Sequence, residues 1–325
     1  EPVLRDSMSD YAKEANIAWL TVLWDFYKAD VASKRRFQPQ DLDDFINNYP
    51  DHLAASEGDA ALMALNLGLV DELKTRDEVR RELIERLGPD KDGLTFKQID
   101  FDQYLNHIRP DLMKSHPARD KVGIIVASGI IMDGEQPSGR IGGDTMADLL
   151  VRAREDENVK AVVVRIDSGG GSATASEIIS REIELTRQAG KPVFVSMGSI
   201  AASGGYWIAA PADQIWATPT TITGSIGIFG AFPTFEKSLK SLGITSDGVG
   251  TTKLSDAFDP SRPLTDLVAQ SMNQVIEQGY RRFIQRVAEG RNMQPEAVEK
   301  IAQGRVWAGI TAKSLGLVDK IGSLQ

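Results

Sequence analysis

The residues best suited to chemistry lie between positions 197 and 209. Ser203 is followed there by Gly204 and Gly205, and it is preceded by a strand-like run at 192–196. A strand, a turn of small residues and the start of a helix would leave the Ser203 hydroxyl exposed, beside backbone N–H groups that have no intrahelical partner. Such N–H groups can stabilise the oxyanion that forms in acyl transfer. A packed turn, in which small residues let a helix approach a sheet, explains the same pattern equally well.

The histidines of the chain do not suit a Ser–His mechanism. His52, His107 and His116 all lie upstream of the strand-rich half, whereas the α/β-hydrolase order places an acid and then a His after the Ser. If Ser203 is a nucleophile, its base is therefore another group, and a Lys with a lowered pKa is the usual substitute. The chain contains no Cys, which excludes disulfides, thiolate metal sites and a Cys nucleophile.

Two other glycine-containing stretches could contribute to such a site. Residues 167–172, Asp-Ser-Gly-Gly-Gly-Ser, join a predicted strand to a predicted helix and match neither a P-loop nor a G-x-G-x-x-G loop. Their N–H groups could bind an anion or an oxyanion, although without the Ser203 stretch a tight turn is the better interpretation. Residues 223–230 carry no charge and are typical of a buried strand and turn, in which Ser225 could hydrogen-bond a lysine base.

The elements that would position these residues alternate between strands and helices. Strands are predicted at 122–127 and 160–167 from their β-branched and apolar residues, and amphipathic helices at 144–155 and about 175–188. The strand at 192–196 then leads to Ser203, and residues 264–287 have a helical pattern. This alternation indicates βα units and an α/β fold with a mainly parallel sheet.

An internal repeat indicates how the chain is organised. Residues 67–71 and 315–319 share the sequence Leu-Gly-Leu-Val-Asp, residues 37–39 match 293–295, and residues 1–2 fall opposite 259–260. We therefore expect three parts: a helical tail of a first repeat at 1–75, a charged linker at 76–120 and a complete repeat at 121–325. The sheet-bearing half of the first repeat would lie upstream of Glu1. The absence of an initiator Met agrees with a fragment or a processed product.

Composition narrows the classes of function. A hydrophobic content of 42% and a charged content of 26% are typical of a soluble globular protein. The net charge of −9 and the lack of a basic run argue against nucleic acid as the main partner. The start of the chain shows no signal peptide or apolar anchor. Two long uncharged stretches flank Asp213, but they are rich in Gly, Ser, Thr and Pro, which favours buried core and turns over membrane helices.

Taken together, these motifs resemble the signal peptide peptidase A (protease IV) family of serine proteases in its double-length form. The motifs are residues 201–208, the glycine turn 168–172 with 175–177, residues 223–227, and residues 304–309 before 315–319. The resemblance implies a ClpP/crotonase-like βα superhelical fold with a mainly parallel sheet, and a Ser–Lys dyad with Ser203 as the nucleophile, without metal or cofactor. It also implies an oxyanion hole from N–H groups of Gly170, Gly171 and Gly204, with Ser225 supporting the lysine.

Two positions depart from the pattern of that family. Its members commonly have Pro where this chain has Gly169, and we expect the glycine to loosen the turn slightly. In double-length members the base lysine comes from the first half, at a position that would lie just upstream of Glu1. The internal counterpart is Ser255, and Lys253, two residues away, could act as the base only if its loop shifts register. We therefore expect the base upstream of Glu1, and little or no activity from this chain alone.

The resemblance also implies substrates and partners. A serine endopeptidase of this kind would hydrolyse extended peptides, in particular cleaved signal peptides, as a homo-oligomer on the periplasmic side of the bacterial inner membrane. Membrane association would come from a segment absent from this chain. Two alternatives stay open at this point. One is a crotonase-type enzyme that acts on acyl-thioesters with the same oxyanion architecture, and the other is a catalytically inactive half that serves assembly.

Overall fold

The computed structural model describes residues 8–108, 120–248 and 257–324. The chain divides into two compact units, one of residues 1–22 with 120–325 and the other of residues 23–119. The described helices are α1 (Asp10–Lys34), α2 (Pro39–Asn47), α3 (Tyr49–Ala55), α4 (Ala60–Asn66), α5 (Arg76–Leu87), α6 (Phe101–Ile108), α7 (Gly143–Glu155), α8 (Ala173–Gln188), α9 (Gly204–Ala209), α10 (Glu236–Ser241), α11 (Asp266–Arg291), α12 (Pro295–Ile301) and α13 (Gly309–Ser314). The described strands are β1 (Lys121–Ser128), β2 (Ile131–Met132), β3 (Ile141–Gly142), β4 (Val159–Ser168), β5 (Val193–Ala202), β6 (Gln214–Ala217), β7 (Ile222–Gly224), β8 (Val306–Ala308) and β9 (Lys320–Ile321).

The unit of residues 23–119 is mainly helical in its described part. Its helices begin at local start signals: Pro39 opens α2, and a capping box between Thr75 and Glu78 opens α5. The Asp59 carboxylate accepts the N–H of Ala61 at 2.8 Å and so caps α4. The three-part domain division inferred from the sequence stays a prediction.

The other unit is α/β and contains a mainly parallel sheet of seven strands within the described residues. The strand order is β1-β4-β5-β6-β9, and β7 lies parallel beside β5. β8 pairs with β7 in the antiparallel direction, and β2 with β3 forms a separate two-stranded ladder. The predicted α/β class and mainly parallel sheet are confirmed.

The central strands are buried because their apolar residues alternate toward the helices. Val162, Val164 and Ile166 of β4 are fully buried and belong to the same hydrophobic core as Ile179 and Ile183 of α8. A one-residue slip would turn these side chains to the other face of the sheet, so burial sets the register of the strand. The polar residues that follow each strand therefore collect at the carboxyl edge of the parallel sheet, where ligand sites of α/β proteins occur.

Strand β5 is longer than the sequence indicated. A strand at 192–196 and a small-residue turn before Ser203 were predicted, whereas β5 continues to Ala202. Its register with β4 shifts at Asp167, which marks a bulge in β5. The Asp167 carboxylate accepts the N–H of Ile200 at 3.1 Å and so satisfies part of the extra backbone. The strand can therefore extend to the residue before Ser203.

The two copies of the internal repeat contain matching helices. The long helices α1 and α11 have 25 and 26 residues. The next helix of each copy begins at a proline, Pro39 in α2 and Pro295 in α12. Similar local sequence thus produces similar secondary structure in both copies.

Candidate active site

Ser203 lies between the end of β5 and the start of α9 in an unusual backbone conformation. Its φ is 52° and its ψ is −121°, a region that costs a non-glycine residue about 1–3 kcal/mol. Two hydrogen bonds hold it there: its N–H donates to the carbonyl of Gly224 at 2.9 Å, and its carbonyl accepts the N–H of Trp207 at 2.9 Å. The strained residue between a strand and a helix has the geometry of a nucleophile elbow.

The backbone N–H groups of Gly171 and Gly204 lie beside Ser203. Gly204 is the first residue of α9, so its N–H has no intrahelical acceptor. The neighbours of Gly171 pair with Ile131 of β2: Gly170 O accepts the Ile131 N–H at 3.0 Å, and the Ser172 N–H donates to Ile131 O at 2.9 Å. The N–H of Gly171 therefore points away from β2. Among the residues that the structure describes, neither of these two N–H groups has an acceptor.

The two N–H groups belong to backbones in close contact. A Cβ atom built at Gly204 would lie 3.2 Å from the nitrogen of Gly171 and 2.6 Å from Ser176 Oγ. Glycine at position 204 thus brings both donors to one place, where a single oxygen atom could accept from both.

The N–H group of Gly170, unlike that of Gly171, has an acceptor within the turn. The Gly170 N–H donates to Ser168 Oγ at 3.1 Å, and Ser168 Oγ donates in turn to the carbonyl of Gly129 at 2.6 Å. With φ of 105°, a Cβ atom at Gly170 would lie 2.7 Å from the nitrogen of Gly204. Of the two predicted oxyanion donors in this turn, Gly171 has an N–H without an acceptor among the described residues, whereas Gly170 permits close approach of the backbones.

Ser225 lies at the end of the strand next to β5. Ala202 of β5 pairs with Gly224 of β7, so Ser203 and Ser225 follow directly on paired residues. Ser225 also has a positive φ, 49°, and its N–H donates to the carbonyl of Arg305 at 2.7 Å. Both serines line one cleft, as expected if they belong to a shared site.

The cleft has a volume of about 620 Å³ and is almost free of charge. It is lined by Gly169, Ser203, Ser225, Gly227, Ile228, Phe229, Ile276, Glu277, Tyr280, Gln303 and Gly304. Burial raises the pKa of Tyr280, whose hydroxyl oxygen accepts the N–H of Gln303 at 3.2 Å. Ile228 and Phe229 supply apolar surface to this lining. Ile226 is fully buried, and Ile200 does not line the cleft.

A smaller cavity of about 160 Å³ adjoins Ser203 on the side of Gly171 and Gly204. The rings of Trp207 and Phe283, whose centroids are 4.5 Å apart, form its apolar wall. An apolar cavity beside Ser203 is suited to a small or hydrophobic side chain of a ligand.

Helix α9, which follows Ser203, is held by hydrogen bonds that join the sequence motifs to each other and to α11. The indole N–H of Trp207 donates to Glu177 Oε2 of α8 at 2.8 Å, and Arg286 of α11 donates to Glu177 Oε1 at 2.6 Å. The hydroxyl of Tyr206 donates to the carbonyl of Leu317 at 2.8 Å, and burial raises the pKa of Tyr206. Glu177 and Arg286 lie far apart in sequence, so no local pattern could have revealed this contact.

No Lys or His lines the cleft in the part of the chain that the structure describes. Lys253 and Ser255 lie outside the described residues. Arg305, whose carbonyl holds Ser225, donates from Nη2 to Glu14 Oε1 at 2.7 Å and stacks over the ring of Trp307 at 4.3 Å. The first turns of α1 are therefore tied to the strand beside Ser225.

The described residues contain neither a metal-binding cluster nor a membrane-spanning helix. No group of three or more His, Cys, Asp or Glu side chains is placed to hold a metal ion there. Of the helices in residues 8–108, 120–248 and 257–324, none has both the length and the apolar character needed to cross a membrane.

Comparisons with known proteins match this chain to a peptidase family and to individual proteases. The family model described as Peptidase family S49 matches residues 185–325. Protease 4 of Salmonella typhi is 44% identical over 322 residues, which cover 99% of this chain and 51% of that protein. The chloroplastic serine protease SPPA of Arabidopsis thaliana is 33% identical over 324 residues, which cover 96% of this chain and 46% of that protein. The chain thus spans about half the length of these curated relatives.

A solved structure with a similar fold is a ClpP1 mutant from Listeria monocytogenes. It is 16% identical to this chain, with a TM-score of 0.42, and the match covers 62% of this chain and 92% of that chain.

Proposed function

The chain belongs to peptidase family S49, and from this premise we propose that it is the catalytic part of a serine peptidase with Ser203 as the nucleophile. The observation that carries the proposal is the backbone of Ser203, strained at φ 52° beside the free N–H groups of Gly171 and Gly204. A serine held in this way can attack a carbonyl carbon while the two donors stabilise the oxygen that becomes negative.

In the acylation step, a neutral lysine takes the proton of the Ser203 hydroxyl while Oγ attacks the peptide carbonyl. The carbon–oxygen bond forms as the carbonyl electron pair moves onto its oxygen, which accepts hydrogen bonds from Gly171 and Gly204. The lysine ammonium then protonates the amine as the carbon–nitrogen bond breaks. An acyl ester on Ser203 and a free amine result.

In the deacylation step, the same neutral lysine takes a proton from water, and the resulting hydroxide attacks the ester. The oxyanion again accepts from the two N–H groups, and the proton returns to Oγ as the acid product leaves. For this cycle the lysine must be largely desolvated, because burial favours its neutral form and lowers its pKa toward the working pH. In this proposal Ser225 accepts or donates a hydrogen bond at the lysine and fixes its position.

We place the proposed base just upstream of Glu1, as the family resemblance implies. Two observations support that position over one within the described residues. The cleft has no Lys or His among its described lining residues, and Glu14 ties the start of α1 to Arg305, whose carbonyl holds Ser225. A segment that precedes α1 therefore starts within reach of this end of the sheet.

The proposed substrate is a peptide in extended conformation. Support comes from residues 227–229, which line the cleft and whose N–H and C=O groups make no backbone hydrogen bond with other described residues. A peptide could pair with this segment as an added strand, with alternate side chains directed to the two apolar cavities. The whole protein is proposed to act on cleaved signal peptides, as a homo-oligomer held at the periplasmic face of the bacterial inner membrane by a segment outside this chain.

The test is substitution of the nucleophile in the full-length protein that includes this chain. We expect Ser203→Ala to lower peptide turnover at least about a thousandfold, because the acyl-enzyme can no longer form. An acylating serine reagent should label the unsubstituted protein stoichiometrically at Ser203. An enzyme that acts on acyl-thioesters without a serine nucleophile would not be labelled.

Ser199→Ala is the matched control, since Ser199 is an exposed serine of the same strand. It should keep both turnover and labelling. Undiminished peptidase activity in Ser203→Ala would refute the assignment of the nucleophile.

A further inference from the structure

The charge of the cleft is concentrated in one side chain. Of the described residues that line it, Glu277 alone carries a formal charge, and the smaller cavity beside Trp207 has no charged lining residue. Glu277 is therefore the described residue through which this cleft can distinguish a charged from an uncharged substrate side chain.

The carboxylate of Glu277 is not neutralised within the described residues. It lies on α11 between Ile276 and Tyr280, which also line the cleft, and it is exposed to solvent. Arg281, one turn further along the helix, forms no ion pair with it in this part of the chain. Arg282 and Arg286 are instead paired with Glu177 of α8. Glu277 thus places a negative charge at an accessible cleft wall, with no ion-pair partner among the residues that the structure describes.

The cleft also offers a surface for the aliphatic part of a long basic side chain. Phe229, which is 90% exposed, and Ile228 line the cleft together with Glu277. The methylene groups of Lys or Arg can cover such apolar surface while the charged head meets a carboxylate. The face of an exposed aromatic ring adds attraction for the same cation.

We propose that Glu277 makes this cleft selective for peptides that carry a Lys or Arg side chain close to the scissile bond. The proposal rests on the peptidase function proposed above and specifies its substrate class. Glu277 acts here on substrate binding, and the chemical step stays with Ser203.

The experiment compares two peptide series in the full-length protein. Fluorogenic peptides of apolar sequence carry one Lys, or one norleucine in its place, moved a single position at a time along both sides of the scissile bond. We expect kcat/KM to favour Lys over norleucine at one position by about two- to fivefold, which is the range for an exposed ion pair. Added salt should reduce this ratio, because it screens exposed charges.

Substitutions at Glu277 decide the source of the preference. In Glu277→Gln the Lys-to-norleucine ratio should fall to about one, and in Glu277→Lys the same position should favour Glu over Lys. Glu289→Gln, at an exposed carboxylate on the same helix that does not line the cleft, should keep the original ratio. An unchanged ratio in Glu277→Gln would overturn the proposal. An equal shift of the pH–rate profiles of both peptides in Glu277→Gln would also overturn it, since the carboxylate would then act on the base and not on the substrate side chain.

A binding measurement separates this proposal from the peptidase function. The anisotropy of labelled Lys and norleucine peptides on the Ser203→Ala protein reports preference without turnover. Tighter binding of the Lys peptide that disappears on adding Glu277→Gln supports the proposal, and equal binding of both peptides contradicts it. Turnover of the norleucine peptide that depends on Ser203 tests the peptidase function alone.

Discussion

At the scale of single residues, the glycines around Ser203 differ in the space that a side chain would find. A Cβ atom at Gly204 would lie 2.6 Å from Ser176 Oγ and 3.1 Å from Ile131 Cδ1. A Cβ atom at Gly169 would meet only Ile200 Cδ1, at an ordinary contact distance of 3.5 Å. Both glycines lie near Ser203, the proposed nucleophile, but of these two only Gly204 brings two N–H donors together. These two positions therefore form a matched pair for substitution.

We expect Gly204→Ala to lower kcat/KM of the full-length protein about a hundredfold, because a displaced α9 takes one oxyanion donor out of position. The same change should lower the free energy of unfolding by about 1–3 kcal/mol through overpacking. Gly169→Ala should raise the free energy of unfolding by up to about 1 kcal/mol, because alanine restricts the conformations of the unfolded chain. This variant should keep most of the activity. Peptide kinetics and urea unfolding measure both effects. Equal behaviour of the two variants would show that the close packing at Gly204 does not matter for catalysis.

At the scale of elements, three helices meet at the side chain of Glu177. It joins Trp207 of α9 to Arg286 of α11, and Arg286 also pairs with Glu184 of α8. Trp207 is 4% exposed, so its indole N–H depends on this acceptor. The direction of the short helix that follows Ser203 is therefore set by contacts with two much longer helices.

We predict that Glu177→Ala lowers the free energy of unfolding by about 1–3 kcal/mol, since the Trp207 N–H becomes a buried donor without a partner. Glu177→Gln keeps an acceptor for the indole N–H, so its free energy of unfolding should fall by less. The rate at which an acylating reagent modifies Ser203 should follow the same order, with Ala slower than Gln. If both variants match the unsubstituted protein in unfolding and acylation, α9 is positioned by other contacts.

The elements also show how far the sequence alone predicts the structure. The strands and helices of the α/β unit followed from periodicity, because burial of one face leaves a regular pattern of apolar residues. The extension of β5 did not follow, because it depends on a side chain from another strand, Asp167, in the bulge. The sequence motifs predicted that Ser203 and Ser225 belong to one site. They could not predict that the Gly170 N–H is hydrogen-bonded, because its acceptor, Ser168 Oγ, is identified only in the folded chain. Glu177 lies in one of the sequence motifs, but its contact with Arg286 did not follow from it, and Glu277 and Tyr280 carry no local signal, since these roles arise from packing between distant segments.

At the scale of the whole molecule, the described residues contain the proposed nucleophile, Ser203, but no Lys or His that could act as its base in the cleft. The cleft contains Ser203 and Ser225, yet no described Lys or His lines it. The chain spans about half the length of Protease 4 of Salmonella typhi and of the Arabidopsis thaliana SPPA. The base that we propose upstream of Glu1 would complete the site.

We therefore expect the 325-residue chain by itself to show no measurable peptide turnover, whereas the full-length protein is active. Ser203 of the chain alone should also resist the acylating reagent, because no lysine lowers the barrier to attack. Circular dichroism on both samples serves as the control for folding. Turnover by the chain alone that disappears in Lys253→Ala would move the base inside the chain and contradict this prediction.

The backbone of Ser203 has an evolutionary consequence. At φ 52° and ψ −121°, glycine is the residue that this position accommodates with least strain, so selection for stability alone would favour replacing the serine. Because substitutions are tolerated as long as stability stays above a threshold, a protein can retain a serine in this strained conformation. In a copy of the gene in which the Ser203 hydroxyl had no function, replacement by glycine would relieve the strain at no cost to function. Ser203→Gly is therefore the substitution that we expect to mark a copy in which this hydroxyl is no longer used.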